Sequence, residues 1–471
     1  MTADRELFER TPVPKALATL AIPTIISQLI TMIYNLADTF FIGMANNASM
    51  TAASSLAFTL VFMMNCLSNL FGVGGGSLIS RLLGERKDHE AASVSSFSFY
   101  GTLAVSAVYS LLILIFMEPI LRLLGATDGS IGYAIDYTVY VVIIGAIPAT
   151  LSMTMSHLLR SEGHAKEASI GLGLGGVLNV ILDPIFMFLI LSHGEEVKGA
   201  AMATLISNVV VLIYFLTVYY RIREKSVLSV SPKVMIPKKH YITSVFAVGF
   251  PSALGSLLVC ISNMVANNLA SGYQSEYGDV PVASIGIAKK IDMLPMNVGM
   301  GLCQGMMPLV AYNYSSGNYK RMKSFATAAR VAGISFALVC VTVFEIFAEP
   351  IVTVFNGDPM TVGMSRDFLR ILCLAVPFMI TNFQMSFMFQ AMGKGTQSLI
   401  LSTLRQGLVN IPLLFLMNHI FGLYGIVWTQ LVSDVATTAI SFLIYHYTYK
   451  RLEGVTDQIP DDPIPPRNVD E

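Results

Sequence analysis

The chain has 471 residues, 54% of them hydrophobic and only 13% charged, with a formal net charge of −1. Soluble domains carry about 25% charged residues, and the mean hydropathy of +0.65 fits long lipid-facing helices instead. Composition therefore excludes an ordinary soluble protein and predicts an all-α polytopic membrane protein.

Apolar stretches of the length needed to cross a bilayer, roughly 20 residues, recur along the whole chain. They lie near 17–41, 51–80, 93–117, 131–157, 167–191, 199–220, 241–270, 280–311, 324–348, 361–390, 397–418 and 422–449, which predicts twelve transmembrane helices. A polar N-terminal segment (1–16) shows no apolar signal-peptide core, so the first span is expected to be retained. The longest hydrophilic connection, 221–240, separates an N-lobe (17–220) from a C-lobe (241–449). A tail (450–471), acidic and proline-rich, is expected to be disordered.

The two lobes repeat each other. Pro23 is echoed by Pro251, Glu118 by Glu349, Pro148 by Pro377, Gly163 by Gly393, Asn179 by Asn410 and Gly199 by Gly425. The offsets run from 226 (425 − 199) to 231 (349 − 118), leaving no room for a large insertion. A duplicated set of hydrophobic helices is the usual build of a secondary transporter. Six spans per copy give both copies the same orientation, as two pseudo-symmetric lobes around a central cavity.

Charge placement sets the topology. Arg81, Arg86, Lys87, the run Arg221 to Lys225, Lys238, Lys239, Lys320, Arg321 and Lys323 fall on one side, against Arg122, Lys198 and Arg366 on the other. The positive-inside rule then places both termini in the cytoplasm of a multi-pass cell-membrane protein. These basic loops are short and scattered, which argues against nucleic acid as a partner. Five cysteines lie inside apolar spans and no His-x-x-x-His pair occurs, so neither a disulfide framework nor a transition-metal site is expected. Glycine clusters at 72–76 and 171–176 lack the Lys-Ser/Thr of a phosphate loop and read as close helix packing.

Asp38 and Asp183 carry the chemistry. An Asp at the centre of a membrane helix costs about 2.5–3.5 kcal/mol and normally faces a partner or an ion pathway. Asn179 and Asp183 are four apart and share one helix face, as do Ala200 and Thr204 on the next span. Pro184 frees the Val180 carbonyl, and Pro23 puts a kink on the helix that bears Asp38. Such oxygen ligands suit Na⁺, the same carboxylates could carry H⁺, and two unrelated structural acids would show the same spacing.

At these residues the chain resembles the multidrug and toxic compound extrusion (MATE) family. Pro23 and Tyr34-Asn35-x-x-Asp38-Thr39-x-Phe41-Ile42-Gly43 are similar to that family's opening signature. Asn179-x-x-x-Asp183-Pro184 is similar to its fifth helix in the branch related to bacterial DNA-damage-inducible members. The resemblance covers roughly residues 12–450. It implies export of small amphipathic organic compounds by cation antiport, with a site built from Asp38, Asn179, Asp183, the Ala200 main chain and Thr204, beside Tyr34. It implies Na⁺ and/or H⁺ as the coupling ion, no organic cofactor, the lipid bilayer as surroundings and a monomer. Other branches place coupling acids on helices 7 and 10, where this chain offers Asn263, Asn267, Asn268 and, at the start of span ten, Asp367. Asp292 is the remaining C-lobe candidate, and a self-neutralising pair with Lys289 is expected. Asp434 matches Asn208 across the repeat, so an uncharged polar residue is expected to serve there. Met385, Phe389 and Asn263 are candidate substrate-cavity residues, since methionine-rich surfaces repack around varied ligands.

Two other functions are weighed. A lipid-linked oligosaccharide flippase needs several cations in its cavity, and only Lys289, Lys290, Arg330, Arg370 and Arg405 are available, most of them near expected span ends. An intramembrane enzyme such as a prenyl transferase needs paired Asp-rich motifs, and none occurs.

Overall fold

The computed structural model describes residues 3–44, 47–192, 194–235, 238–278, 280–355 and 357–456, and every regular element among them is helical. A short helix α1 (Ala3–Glu9) precedes α2 (Val13–Met44), α3 (Ala48–Gly84) and α4 (Asp88–Leu123). α5 (Ile131–Thr138) passes through a π-helical segment (Val139–Ile144) into α6 (Ala146–Ser161). α7 (Ala165–Pro184) ends in a second π segment (Ile185–Ile190), followed by α8 (Glu196–Ile222). The second half comprises α9 (Lys239–Ser271), α10 (Gln274–Tyr277), α11 (Val280–Ser315), α12 (Tyr319–Thr353), α13 (Pro359–Cys373) and α14 (Val376–Ala391). It closes with α15 (Gly395–Thr403), a third π segment (Leu404–Leu408) and α16 (Asn410–Thr456).

Eight of these helices are long and apolar enough to cross a bilayer, and ten if each bent pair, α5 with α6 (50°) and α13 with α14 (45°), is one span. Two more crossings follow from the geometry. The apolar stretch Gly395–Thr448 has 54 residues, about 80 Å of helix at 1.5 Å per residue, far more than the roughly 30 Å of a hydrocarbon core. It breaks at Gly422 (φ 61°, ψ −144°), a conformation open to a residue without Cβ. The chain doubles back there, since Arg405 pairs with Asp434. α11 has 36 residues and is made less apolar by Lys289, Lys290 and Asp292.

The repeat is visible in backbone detail. α4 leaves helical geometry at Phe116 (φ −110°, ψ 22°), and α12 does so at Phe347 (φ −108°, ψ 17°), 231 residues on (347 − 116). Each break precedes a matched proline, Pro119 or Pro350. Between Glu118 and Pro148 the offset falls from 231 to 229, and the π segment Val139–Ile144 lies in that interval of the first half. Between Gly163 and Asn179 it rises from 230 to 231, and the π segment Leu404–Leu408 lies in the matching interval of the second half. A wider turn absorbs an extra residue without breaking the helix.

Among the described residues the apolar core shared by the halves lies at one end. The largest core holds Phe71, Leu82, Leu158 and Phe215 of the first half with Val245, Met306, Tyr312 and Phe389 of the second. All lie towards the ends that carry the basic loops. Cores nearer the opposite end stay within one half: Ala266, Phe344 and Leu414 in one, Leu60, Ile113 and Val142 in another. Backbones meet closely in the joined region. A Cβ on Gly249 would strike the Leu70 carbonyl, and one on Gly305 or Gly301 would sit 2.5 or 2.6 Å from the Cα of Ala21 or Ile25.

The N-terminal segment is more structured than its polarity suggests. Phe8 of α1 is 2% exposed and stacks on Tyr312 at 4.8 Å, while Arg5 pairs with Asp88 at 2.5 Å. At the other end, α16 runs on to Thr456, past the expected start of the tail at 450; residues 457–471 lie outside the described ones.

Candidate functional site

α2, α7 and α8 bring four of the expected residues together. Asn179 Nδ2 donates to Asp183 Oδ1 at 3.3 Å and to Thr204 Oγ1 at 3.2 Å. The i,i+4 spacing aims Asn179 and Asp183 at α8, and both are buried, at 3% and 0% exposure. Asp38 joins them from α2, close enough for the two carboxylates to interact electrostatically. Tyr34, one turn before Asp38, lies in the field of both acids and packs over Gly176 of α7. Ala200 is fully buried beside Ile42 and Met187, and what the structure records for it is packing. Gly199 permits that approach, because a Cβ there would sit 2.9 Å from the Met187 backbone.

Three buried oxygens in this cluster have no hydrogen-bond partner: Asp38 Oδ1, Asn179 Oδ1 and Asp183 Oδ2. Neither acid pairs with a Lys, Arg or His among the described residues. Buried carboxylates without a cationic partner are costly, so the cluster is chemically incomplete as protein alone. Sodium fits this donor set, since hard cations take oxygen ligands, and so does protonation of the acids. Among the described residues no group of three or more His, Cys, Asp or Glu is placed to hold a metal ion.

Tyr137 escaped the sequence reading. It is 7% exposed and interacts electrostatically with Asp38, Tyr34 and Asp183. Its signal lay in the repeat: Asp136-Tyr137 matches Asp367-Phe368 at an offset of 231 (367 − 136), so a hydroxyl is present in one copy alone. Arg160 was missed as well. It is 4% exposed where the halves meet, with only long contacts, 3.5 Å to Gln304 and 3.4 Å to Ser27, and its Nε is unpartnered.

The second half differs from expectation at several points. Lys289 and Asp292 interact electrostatically but form no salt bridge among the described residues: Lys289 Nζ donates to Asn263 Oδ1 at 2.8 Å, and Asp292 Oδ1 is buried without a hydrogen-bond partner. Arg405 is not near a span end but is buried in the π segment, bonded through Nε to Asp434 Oδ1 at 2.6 Å. Asn382 and Gln430 also bond Asp434, so this position holds a paired charge and not merely a polar group. Met385 and Phe389 are both 0% exposed inside the inter-half core, where their apolar side chains are taken up by packing. Asn263 does line a cavity. Of the cations considered for a flippase, Arg330 bonds Gln384 and stacks over Phe442, and Arg370 lies 3.7 Å from Glu345.

The MatE family model matches the chain twice, over residues 23–185 and 251–416. The matches start 228 residues apart (251 − 23) and end 231 apart (416 − 185), within the offsets of the repeat. A multidrug export protein MepA of Staphylococcus saprophyticus is 34% identical over 445 residues, covering 94% of this chain and 96% of its own. MepA of Staphylococcus aureus strain MRSA252 is 33% identical over 453 residues, covering 96% and 98%. An outward-facing conformation of a multidrug resistance MATE family transporter of the MOP superfamily has a TM-score of 0.89 at 25% identity, covering 96% of this chain and 99% of its own. A MATE structure in a bent conformation gives 0.87 at 25% identity, covering 97% and 100%. With the family model spanning most of both halves and relatives aligned end to end, this chain belongs to the MATE family of membrane transporters.

Proposed function

We propose that the chain is a multidrug efflux transporter of the cell membrane that exports small amphipathic organic compounds by antiport against Na⁺ or H⁺. The observation that carries the coupling half of this reading is the set of three unpartnered buried oxygens on Asp38, Asn179 and Asp183. An ion drives a conformational change only through different affinities for the two states. Asp38 sits on α2, and its partners sit on α7 and α8, so movement of one helix changes the affinity. The same helix reaches the junction between the halves. Pro23 lies roughly 22 Å from Asp38 along α2, flanked by Ala21 and Ile25, which touch Gly305 and Gly301 of α11. Neutralising Asp38 by a cation or a proton is thereby linked to the seam that closes the basic, cytoplasmic end. Packing supports the same reading, because a core shared at one end and separate at the other leaves the opposite end free to admit or release solute.

The test is efflux of a fluorescent amphipathic cation from proteoliposomes under a sodium gradient or a proton gradient, imposed one at a time. One of the two gradients is expected to drive efflux above that of empty liposomes. Equal efflux with and without both gradients contradicts antiport.

A further inference from the structure

The second half contains a cavity of about 40 Å³, and its walls are the repeat images of the acid cluster. The offset of 228 carries Tyr34 and Asp38 to Ser262 and Ala266. That of 231 carries Asn179 and Asp183 to Asn410 and Leu414, and that of 226 carries Ala200 and Thr204 to Ile426 and Gln430. All six images line this one cavity. Duplication has kept the position of the site while replacing its chemistry. Both carboxylates are gone, exchanged for Ala266 and Leu414. A charge of the opposite sign has been added, because Lys289 lines the cavity as its only ionisable group. The spacing of 229 that relates Gly72 to Gly301 and Gly76 to Gly305 maps Lys289 to Leu60, an apolar core residue.

The donors in this cavity are unspent. A lysine ammonium has three protons to give, and Lys289 uses one on Asn263 Oδ1. Asn410, which also lines the cavity, accepts from Ser262 through its oxygen, and its amide nitrogen makes no hydrogen bond among the described residues. Neighbouring acids are otherwise engaged or displaced. Asp434 is covered by Arg405, Gln430 and Asn382. Asp292, one turn along α11, lies outside the lining and acts on Lys289 through space, without a hydrogen bond that would take up one of the ammonium protons.

We propose that this cavity is an anion site, the polarity-inverted counterpart of the cation cluster, taking one monovalent anion or one carboxylate group. A space of about 40 Å³ holds about three water-sized groups, which suits a chloride or the three atoms of a carboxylate. The anion comes either from solution or as the charged end of an amphipathic compound.

The chain supplies its own reporter. Trp428, its only tryptophan, sits on α16 between the lining residues Val427 and Gln430. Fluorescence of the purified full chain is titrated at constant ionic strength with chloride against bulky sulfate, and separately with octanoate against its uncharged amide. A saturable change with chloride assigns the site to a free anion. Saturation with octanoate alone assigns it to the end of an amphiphile. In either case Lys289→Gln is expected to weaken binding about tenfold, the loss of a charge-assisted hydrogen bond, and Lys289→Arg to retain most of it. Absence of saturation by both anions in the unmutated chain overturns the proposal, as does equal affinity in Lys289→Gln. No gradient is involved, so this result stands apart from success or failure of the transport reading.

Discussion

The first half places Asp38 and Asp183 where the second places Ala266 and Leu414, although elsewhere in the repeat α4 and α12 break at matched phenylalanines. Charged groups of the second half are arranged differently. Arg405 and Asp434 neutralise each other with side chains 9% and 0% exposed, whereas Asp38 and Asp183 form no salt bridge among the described residues. The difference teaches that the repeat constrains packing and not chemistry. A buried pair that satisfies itself holds the fold, and a buried pair that does not is available to an ion.

The largest expected effect breaks the comparison on the side of the first half. Asp183→Asn keeps the shape of the side chain but removes one of two uncompensated charges. Gradient-driven efflux should fall to the level of empty liposomes while expression and thermal stability persist. Transport at the unmutated rate would make Asp183 a structural acid. Next comes the paired charge of the second half. Asp434→Asn strands a buried guanidinium, which costs about 3–5 kcal/mol, so thermal unfolding of the purified protein should shift sharply downward, and replacing Arg405 with Leu in the same chain should recover much of the loss. An unchanged unfolding temperature would show that the pair does not hold the fold.

Smaller effects sharpen the contrast. Tyr34→Phe removes a hydroxyl from the field of both acids. The apparent affinity for the coupling cation should drop by about three- to tenfold, in line with one hydrogen bond of about 0.5–1.5 kcal/mol. Loss of efflux at saturating cation would instead indicate a fold defect. Smallest of all, Asp358 caps α13 by accepting from the Thr361 amide at 2.9 Å and its hydroxyl at 2.7 Å. Asp358→Ala should cost about 1 kcal/mol of stability and leave cation dependence unchanged.

Much of the architecture was legible in the sequence because membrane spans announce themselves by length and apolarity, and because matched prolines and glycines mark the repeat. The acid cluster was legible for a similar reason. Asn179 and Asp183 share a helix face by spacing alone, and an acid within an apolar span is too costly to stand there without a partner or an ion. What stayed hidden depends on contacts between distant segments. Arg405 reads as one of several scattered cations until the π segment turns it onto Asp434, 29 residues along a chain that reverses at Gly422. Met385 and Phe389 look like a pliable binding surface in one dimension and are core in three. Phe8 lies in a polar segment, and only its stacking on Tyr312, which sits at the far end of α11, shows that α1 is docked.

In this mechanism the coupling ion acts on the first half and not on the second. Efflux from matched proteoliposomes carrying Asp38→Asn or Asp292→Asn, under one imposed cation gradient, tests it most directly. Asp38→Asn should show background efflux and Asp292→Asn substantial gradient-driven efflux. The reverse pattern, an active Asp38→Asn beside an uncoupled Asp292→Asn, would contradict it.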